Sequence, residues 1–561
     1  MKSINEIEWK QNYIAERLIL KQKQNFNISY LLSKIFLDKN YSDDEIYNSI
    51  NKNDEFQYIY QHDDFVCAIT RLLECIKEKK EILIFGDYDV DGYSSTYLLY
   101  DCFKNIKINC DYYIPDRFKD GYGPNKNLLK SLIKKKNYGL IFFVDCGSNS
   151  YDEINFLEKK GIKTIVIDHH QVYEHNSSSS AIIINPLKHI KNNYSFFCAT
   201  SLVYFFINHL IKSFKININL DKYLCIAAIA TICDQMPLRG YNKLIVTNGL
   251  KKLNFYKFPN FKNLLNIKTK ITSTDIGFTL GPILNSASRL GYSDLPIKLL
   301  IEKKNIKIDK ISNKLLILNE KRKKIQAKTI YFLKNSTSHT KSEIIFKYKE
   351  NMNVGMLGII ASYFVENYNR PSFILTNSGN LIKCSSRSVI GFDIGNIFYT
   401  ALKKKIIVNG GGHSMAAGCA LKIDKLSEFK KFLDLNYIKK FKHTKNLKYY
   451  TSYQNIDSLL LFAKKELHFL EPLGNNNSNP LFLIKKNKIL KIKVLKDVHL
   501  QFVIKNKYNR SFLCFAFYAI GTKLGDLLMN YKKEIDLIVQ INNKIINKNS
   551  DFNLIIKDAI T

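Results

Sequence analysis

The 561-residue sequence predicts an α/β protein of several domains that ends in a small β-barrel. Short apolar runs alternate with helical segments between residues 81 and 170, and a long helical region follows at about 297–335. A second α/β segment begins near residue 341. Beyond about residue 478, five or six strand-like runs follow one another without long helices, which is typical of a barrel or a sandwich.

Three apolar, β-branched runs of the first α/β segment predict parallel strands: "EILIFGD", "GLIFFVDCG" and "IKTIVIDHH". Helical patterns such as "SYDEINFLEKK" separate the runs, so right-handed crossovers would join neighbouring strands. Each run ends in Asp or His. Because the carboxyl ends of parallel strands gather at one edge of a sheet, these polar residues are predicted to meet there.

The formal net charge is +35, from 85 Lys and Arg against 50 Asp and Glu. Such an excess favours a polyanionic partner such as nucleic acid. The chain is also rich in Lys, Asn and Ile, as expected where A+T-rich codon usage sets the composition. Lysines in runs such as "KSLIKKKN" therefore need no ligand, and charge alone leaves both interpretations open.

The sequence favours a cytoplasmic protein without a membrane segment. Its start, "MKSINEIEWKQNYIAERLIL", carries charges throughout its apolar pattern and lacks the layout of a signal peptide. The longest apolar stretch, "FFCATSLVYFFINHLI", is too short and interrupted to span a bilayer and predicts a buried helix. The eleven cysteines include no C-x-x-C pair, which favours reduced thiols over disulfides or a zinc site.

Carboxylates and imidazoles are concentrated in four short motifs, which contain Asp87, Asp89, Asp91, Asp145, Asp168, His169, His170 and Asp234. Each motif alone is consistent with a solvated turn, a helix cap or a core histidine. Together they predict a site for Mn²⁺ or Mg²⁺, because divalent cations offset the repulsion between the carboxylates. Two metal ions about 3.5–4 Å apart would suit a phosphoryl displacement, with Asp145 as our candidate for a shared ligand.

The motifs "DYDVDG", "VDCG", "DHH" and "ATICDQMPL" resemble those of the DHH phosphoesterase superfamily. Further motifs resemble its RecJ branch, the single-strand-specific 5′→3′ DNA exonucleases of bacteria: "PDRFKDGYG", "INP", "GPILNSASRLG", "GMLGIIASYFVE", "SSRS" and "GGGHSMAAG". By motif, the resemblance covers residues 30–435. The final strands fit the OB-fold of this branch by position.

The resemblance implies specific roles for the clustered residues. The implied metal ligands are Asp87, Asp89, Asp145, His169 and Asp234. Asp91 would be a further acidic member of the catalytic set, either a metal ligand or a residue that supports the ligands. His170 would contact the scissile phosphate, and Asp168 would orient the histidines. The cofactor would be Mn²⁺ or Mg²⁺ in a two-metal site.

The resemblance also implies a phosphate pocket formed by Arg117, Ser385 and Arg387, with Arg289 and His413 lining the substrate channel. Guanidinium groups and a hydroxyl suit a phosphate dianion. Any of these arginines could instead be a surface ion-pair residue. The barrel aromatics Phe502, Phe515 and Tyr518 are predicted to pack in the core or on a face rather than stack on bases.

The chain departs from the family pattern at five positions. Met352 and Asn353 replace a usual Trp-His pair, which would weaken contact with the strand. Ser288, Cys384 and Ser386 stand where glycine is customary, and any of them that requires a positive φ would be strained. None is an implied metal ligand.

The resemblance and the patterns together divide the chain into five segments: an N-terminal helical segment (1–75), a DHH domain (76–296), a connector helix (297–340), a DHH-associated domain 1 (341–438), and a linker with an OB-like barrel (439–561).

The predicted function is a metal-dependent 5′→3′ exonuclease on single-stranded DNA, acting in repair and recombination. One alternative is a DHH-class phosphodiesterase for short oligoribonucleotides or cyclic dinucleotides, and another is a non-catalytic DNA-binding scaffold. The predicted partners are single-stranded DNA, a helicase and a single-strand-binding protein, and the predicted state is a monomer.

Overall fold

A computed structural model of the chain describes residues 1–51, 63–172, 180–188, 196–256, 258–265, 270–335, 343–440, 447–505, 511–530, 533–542 and 552–560. These residues belong to two compact units. The first consists of Met1–Glu55, Pro237–Lys243 and His443–Thr561, and the second of Phe56–Met236 and Leu244–Lys442.

The N-terminal part of the first unit contains a short strand and three helices: β1 (Glu8–Gln11), α1 (Glu16–Phe26), α2 (Tyr30–Asp38) and α3 (Asp43–Asn51). The helices confirm the predicted helical pattern, whereas β1 is an addition to it. The side chain of Ser29 caps α2 by accepting a hydrogen bond from the Leu32 N–H.

The second unit begins with alternating helices and strands: α4 (Asp63–Lys77), β2 (Glu81–Phe85), α5 (Val90–Asn105), β3 (Cys110–Tyr113), α6 (Lys126–Lys135), β4 (Tyr138–Val144), α7 (Tyr151–Glu158), β5 (Lys163–Ile167) and β6 (Ile182–Ile184). The five strands form one parallel sheet in the order β3-β2-β4-β5-β6. The predicted strands β2, β4 and β5 are adjacent and almost fully buried. β3 and β6 extend the sheet; with four and three residues, they are too short for a clear sequence pattern.

Helices follow the sheet: α8 (Ala199–Ser213), α9 (Asp221–Cys233), α10 (Gly240–Tyr256), α11 (Ser273–Asp275), α12 (Gly281–Arg289), α13 (Leu295–Ile301) and α14 (Asn305–Asn335). Short turns of 3₁₀-helix lie at Pro186–Lys188 and Pro259–Phe261, and a π-helical turn at Ile276–Leu280 precedes α12. Most of α8 is buried, which confirms the prediction for the longest apolar stretch. Among the described helices, none combines the length and apolarity that a bilayer crossing requires.

The second α/β segment contains β7 (Ile345–Tyr348), α15 (Leu357–Tyr368), β8 (Ser372–Ser378), β9 (Leu381–Arg387), α16 (Ile394–Lys403), β10 (Asn409–Gly412), β11 (Ala416–Leu421) and α17 (Leu426–Lys440), with 3₁₀ turns at Val354–Met356 and Ile423–Lys425. Its sheet has the order β10-β11-β9-β8-β7. Only β7 and β8 pair in parallel in this sheet, so it is mixed.

The C-terminal part of the first unit contains β12 (Leu447–Tyr450), β13 (Ser452–Tyr453), α18 (Ile456–Lys465), a 3₁₀ turn (Leu467–Phe469), β14 (Phe482–Leu495), β15 (His499–Lys505), β16 (Ser511–Ala516), α19 (Lys523–Asn530), β17 (Ile535–Asn542) and β18 (Asn553–Ile560). Strands β14-β15-β16-β18-β17 pair in that order, and β17 pairs again with β14, which closes a five-stranded barrel. The predicted barrel is therefore confirmed.

Two details of the barrel differ from the sequence prediction. The runs "LFLIKK" and "KILKIKVLKD" belong to one 14-residue strand, β14, which is irregularly paired with β15 between Leu490 and Lys493. Phe502 and Phe515 are buried as predicted, whereas Tyr518 is 74% exposed, has a φ of 53° and is not a core residue.

The single tryptophan of the chain joins distant parts of the first unit. Trp9 lies on β1, which pairs in parallel with β12, and its indole N–H donates a buried 2.8 Å hydrogen bond to Asp558 Oδ2 on β18. Asp558 Oδ1 accepts hydrogen bonds from Asn5 Nδ2 and the Ala559 N–H, both at 2.9 Å. Because Asp558 is fully buried, its carboxylate is the acceptor on which these donors depend.

Asp558→Ala is expected to destabilise the first unit by about 1–3 kcal/mol or more, because buried donors lose their acceptor. Urea unfolding followed by the fluorescence of Trp9 measures this loss in the part of the chain concerned. Exposed Glu534 serves as the control, and Glu534→Ala should change the free energy of unfolding by less than about 0.5 kcal/mol. Equal stabilities of the two variants would contradict this role of Asp558.

Candidate active site

Asp87, Asp89 and Asp91 lie where β2 leads into α5. Asp89 caps α5, and its Oδ1 accepts hydrogen bonds from the N–H groups of Asp91 and Gly92 at 3.0 and 3.1 Å. A Cβ at Gly92 would lie 2.5 Å from the backbone of Asp87. The glycine of this motif therefore permits the close approach of the helix to the first aspartate.

The Asp91 carboxylate is held by the N-terminus of α8. Oδ2 accepts a hydrogen bond from the Ala199 N–H at 2.7 Å, and Oδ1 accepts from the Thr200 N–H and Oγ1 at 2.8 and 2.6 Å. A negative charge at a helix N-terminus is favourable. These contacts suit a supporting role, one of the two alternatives predicted for Asp91, and Oδ2 also lies 3.7 Å from Nε2 of His169.

Asp145 follows β4 with a φ of 60°, a left-handed conformation that is uncommon for non-glycine residues. Its N–H donates a 3.0 Å hydrogen bond to the Ile167 carbonyl at the end of β5. Its Oδ1 lies 3.2 Å from His169 Nε2 and 3.9 Å from His170 Nδ1. The strained backbone therefore directs this carboxylate toward both imidazoles.

Asp168 organises the two histidines that follow it. Oδ1 accepts hydrogen bonds from the N–H groups of His169 and His170 at 2.7 and 3.2 Å and lies 2.8 Å from His170 Nδ1. Oδ2 accepts from the Ser148 N–H at 3.0 Å. These bonds suit the orienting role predicted for Asp168.

The two imidazoles have opposite protonation tendencies. Burial, together with the His170 charge, lowers the pKa of His169 to about 4. For His170, burial alone would lower the pKa, but the Asp168 carboxylate outweighs it and raises the pKa to about 9. At neutral pH, His169 is therefore a neutral imidazole, the form that binds metals, and His170 is a cation.

Asp234 ends α9 and completes the cluster, with Oδ2 lying 3.4 Å from His169 Nε2. Three overlapping sets of side chains have ligand atoms close enough to share one ion: Asp87, Asp89 and Asp145; Asp91, His169 and Asp234; and Asp145, His169 and His170. The structure thus brings all eight predicted acidic and imidazole residues to the end of the parallel sheet. Asp145 and His169 each belong to two of the three sets.

Several of these carboxylates are buried and short of partners. Burial, reinforced by the charge of Asp89, raises the pKa of Asp87 to about 8. Burial and then the charge of Asp91 raise the pKa of Asp145 and Asp234 well above the usual range. Among the described residues, no donor bonds to Asp87 Oδ1, Asp145 Oδ1 or Asp234 Oδ2. Oxygen-rich ligands with one neutral imidazole and uncompensated acceptors fit Mn²⁺ or Mg²⁺.

Arginines gather beside the carboxylates. Arg117 lies over the ring of Tyr88, 5.0 Å from its centroid, and its charge acts on Asp87. Arg289 donates a 2.8 Å hydrogen bond to the Gly355 carbonyl. Burial, followed by the charges of Arg117 and Arg387, lowers the pKa of Arg289 to about 9. A group of partly buried cations that repel one another is suited to an anionic ligand.

Ser385 and Arg387 lie on β9, and their side chains approach the first turn of α15. The Ser385 hydroxyl and the Arg387 guanidinium both lie 3.3 Å from the point that a Cβ on Gly358 would occupy. Burial, and then the charge of Arg117, lowers the pKa of Arg387. His413 follows β10, and its ring stacks on that of His170 with centroids 5.9 Å apart. The predicted pocket residues therefore lie in one region, with His413 next to the imidazole cluster.

The departures from the family pattern cause no strain in the described structure. Ser288 is helical within α12, Cys384 and Ser386 lie on strand β9, and none has a positive φ. Met352 is buried in a hydrophobic cluster, and Asn353 Oδ1 accepts a 2.8 Å hydrogen bond from the Gly355 N–H. Asn353 thus caps the turn that carries the acceptor of Arg289.

Sequence reasoning missed several residues that contact the site. The Tyr122 hydroxyl lies 3.2 Å from His170 Nε2, and Asn185 donates hydrogen bonds to Ser148 Oγ and the His170 carbonyl at 2.8 and 2.9 Å. The charge of Arg322, on α14, also contributes to the low pKa of Arg289. Tyr122 and Asn185 belong to the motifs "PDRFKDGYG" and "INP", so the motifs contained a signal. Arg322 lies in a long lysine-rich helix without a distinctive pattern.

Three family models match the chain in order. The DHH family N-terminal domain matches residues 81–231, the DHHA1 domain matches residues 341–438, and the RecJ OB domain matches residues 455–558. These matches cover the parallel sheet, the mixed sheet and the barrel.

The chain is similar to single-stranded-DNA-specific exonucleases named RecJ. The Bacillus subtilis protein is 27% identical over 462 residues, covering 79% of this chain and 57% of the relative. The Haemophilus influenzae protein is 28% identical over 387 residues, covering 64% of this chain and 67% of the relative. The matched region therefore spans between half and two thirds of the length of these relatives.

The fold is similar to the crystal structure of RecJ from Thermus thermophilus in complex with Mn²⁺, with a TM-score of 0.83. That likeness covers 99% of this chain and 80% of the other at 20% identity, and it shows a shared fold. With the DHH, DHHA1 and RecJ OB domains present in one order, the chain belongs to the RecJ family of DHH proteins.

Proposed function

We propose that this protein is a metal-dependent exonuclease that hydrolyses the phosphodiesters of single-stranded DNA from the 5′ end and releases 5′-mononucleotides. The observation that carries the proposal is the position of the carboxylate and imidazole cluster beside a group of partly buried arginines, all within the second unit. Such an arrangement suits a phosphate-containing substrate and a divalent cation together.

The metal ligands in this proposal are Asp87, Asp89, Asp145, His169 and Asp234. Bound divalent ions would lower the pKa of a water nucleophile and offset the charge on the phosphoryl oxygens. Asp145 and His169 each occur in two of the three ligand sets. Of the two, only the carboxylate of Asp145 has two ligand oxygens, so we assign Asp145 as the ligand shared by two ions.

His170 and Asp168 act as a pair in this proposal. The Asp168 carboxylate keeps the proton on the His170 ring, so a cation faces the reacting phosphate at neutral pH. Tyr122, within hydrogen-bond distance of the same ring, limits its rotation. His413 stacks on His170 from the second α/β segment and lies along the substrate path.

The terminal phosphate is proposed to bind between Arg117, Ser385 and Arg387, with Arg289 contacting the neighbouring backbone. A guanidinium can donate two hydrogen bonds to one phosphate, and a 5′-phosphate carries more charge than an internal one. This pocket would fix the 5′ end and thereby set the direction of hydrolysis.

The five-stranded barrel supports the exonuclease over the phosphodiesterase for short oligoribonucleotides or cyclic dinucleotides. A barrel of the OB type is a frequent platform for single strands, and a phosphodiesterase for dinucleotides has no need of one. The complete cluster of ligands argues against a non-catalytic scaffold.

We further propose a monomer that works in the cytoplasm with a helicase and a single-strand-binding protein. The eleven free thiols are consistent with a reducing compartment.

A nuclease assay with Mn²⁺ or Mg²⁺ tests the proposed function. Single-stranded DNA labelled at its 3′ end should release unlabelled 5′-mononucleotides first, whereas duplex DNA, single-stranded RNA and a cyclic dinucleotide should remain intact. Hydrolysis of only the RNA or the cyclic dinucleotide would favour the phosphodiesterase. A folded, metal-binding protein without any turnover would favour the scaffold.

Asp145→Asn is expected to reduce turnover at least about 10³-fold, because a shared metal ligand is worth several kcal/mol. Asn tolerates the left-handed backbone of this position, so the fold should persist.

The same variant tests the electrostatic cost of the cluster. Because burial raises the pKa of Asp145, the ionised carboxylate destabilises the metal-free protein, and the loss of stability grows as pH rises. At pH 8 in chelator, the variant should therefore have a higher Tm than the wild type, and Mn²⁺ should raise its Tm less. A lower Tm in chelator with normal turnover would remove Asp145 from the metal site.

Arg387→Ala should weaken the preference for 5′-phosphorylated ends by about tenfold or more, since a charged hydrogen bond to phosphate is lost. The measurement compares kcat/KM for 5′-phosphorylated and 5′-hydroxyl oligonucleotides. Lys383 lies on the same strand as Arg387 and on the same face of that strand, so Lys383→Ala is the matched control and should keep the preference. An unchanged preference in Arg387→Ala would exclude Arg387 from the pocket.

A further inference from the structure

The connector helix α14 has a continuous basic stripe on its exposed face. The stripe consists of five exposed lysines at successive spacings of four, seven, three and four residues, close to whole helical turns: Lys310, Lys314, Lys321, Lys324 and Lys328. Exposed Ile317 and Tyr331 lie on the same face, at 69% and 71% exposure. The stripe contains no acidic residue.

The stripe is not explained by the packing of α14. Its buried residues lie on the opposite face: Ile308, Ser312, Leu315, Leu318, Asn319 and Leu333. Lysines three or four residues apart on one face repel each other and destabilise a helix. None of the five forms an ion pair with a residue that the structure describes, whereas Lys323, outside the stripe, pairs with Glu320 at 2.7 Å. The charge of Glu320 also acts on Lys324, but within the described part of the chain no acid forms an ion pair with a lysine of the stripe.

The length and chemistry of the stripe suit a nucleic-acid backbone. From Lys310 to Lys328 the helix rises by about 27 Å, at about 1.5 Å per residue. One strand of a duplex presents about eight phosphates over that distance, at about 3.4 Å each. Between the lysines, the exposed side chains of Ile317 and Tyr331 can contact sugars or bases.

One edge of the stripe lies next to the site already described. The Lys314 ammonium lies over the ring of Tyr292, 4.3 Å from its centroid. Tyr292 is three residues beyond Arg289, and its N–H donates a hydrogen bond to the Ala287 carbonyl of α12. A nucleic acid that contacts Arg289 can therefore continue onto α14.

We propose that the exposed face of α14 is a second binding surface for the sugar-phosphate backbone of the substrate, separate from the metal cluster. The inference rests on the proposed function for the identity of the substrate, but its test does not require hydrolysis. Lysines spread by composition alone would bind nucleic acid no better here than at other exposed positions.

The test is a triple variant, Lys314→Gln, Lys321→Gln and Lys328→Gln, in the full-length chain with a chelator present. Fluorescence anisotropy measures its affinity for a labelled 30-nucleotide oligo(dT) and for a 30-base-pair duplex at several salt concentrations. Each lysine that releases a counterion contributes about 0.7–0.9 to the slope of log K against log salt, so the slope should fall by about 2. Affinity at low salt should fall at least tenfold.

The matched control replaces three exposed lysines of α6, Lys130, Lys134 and Lys135, with Gln in the same unit. Its slope should equal that of the wild type. A fall with oligo(dT) that is confined to the stripe variant supports the proposal. An unchanged slope with oligo(dT), a fall with the duplex alone, or an equal fall in the control would overturn it. Loss of hydrolysis in the wild type would reject the proposed function and leave this result unaffected.

Discussion

The mutual repulsion of buried carboxylates is the constraint on which the active-site region depends. Asp87 and Asp145 are buried and Asp234 is partly buried, and burial raises the pKa of each. One carboxylate oxygen of each accepts no hydrogen bond from the described residues. Such a cluster is unfavourable unless protons or cations neutralise it. The local structure holds the cluster together through helix caps, a strained φ at Asp145 and the close approach of Gly92.

Two kinds of support keep the cluster in place. Backbone N–H groups at the N-termini of α5 and α8 bind Asp89 and Asp91, so the dipoles of two helices stabilise negative charge. Asp168 fixes both histidines with one oxygen and thereby separates their protonation states, leaving His169 neutral and His170 charged. The partly buried arginines and Ser385 lie beside this cluster, where we propose that the charge of the substrate binds. Cations and anions are thus segregated over a short distance.

Much of this arrangement could be predicted from the sequence. The apolar runs that end in Asp or His identified β2, β4 and β5, and the topology of a parallel sheet places their ends together. Other features depend on long-range contacts that local patterns do not contain. The capping of α8 by Asp91 joins residues more than 100 positions apart, β6 has only three residues, and the closure of the barrel requires β17 to pair with β14. The charge of Arg322 lowers the pKa of Arg289 because α14 packs against α12. The sequence of α14 does not reveal that contact.

The most direct test of the central claim is anomalous diffraction from crystals of the protein grown with Mn²⁺. The account predicts manganese peaks within coordination distance of Asp87, Asp89, Asp145, His169 and Asp234, with Asp145 touching two ions. Crystals of Asp145→Asn should lack the manganese peaks that contact residue 145 in the wild type. Manganese peaks elsewhere in the protein, with no peak at this cluster at pH 8, would contradict the account.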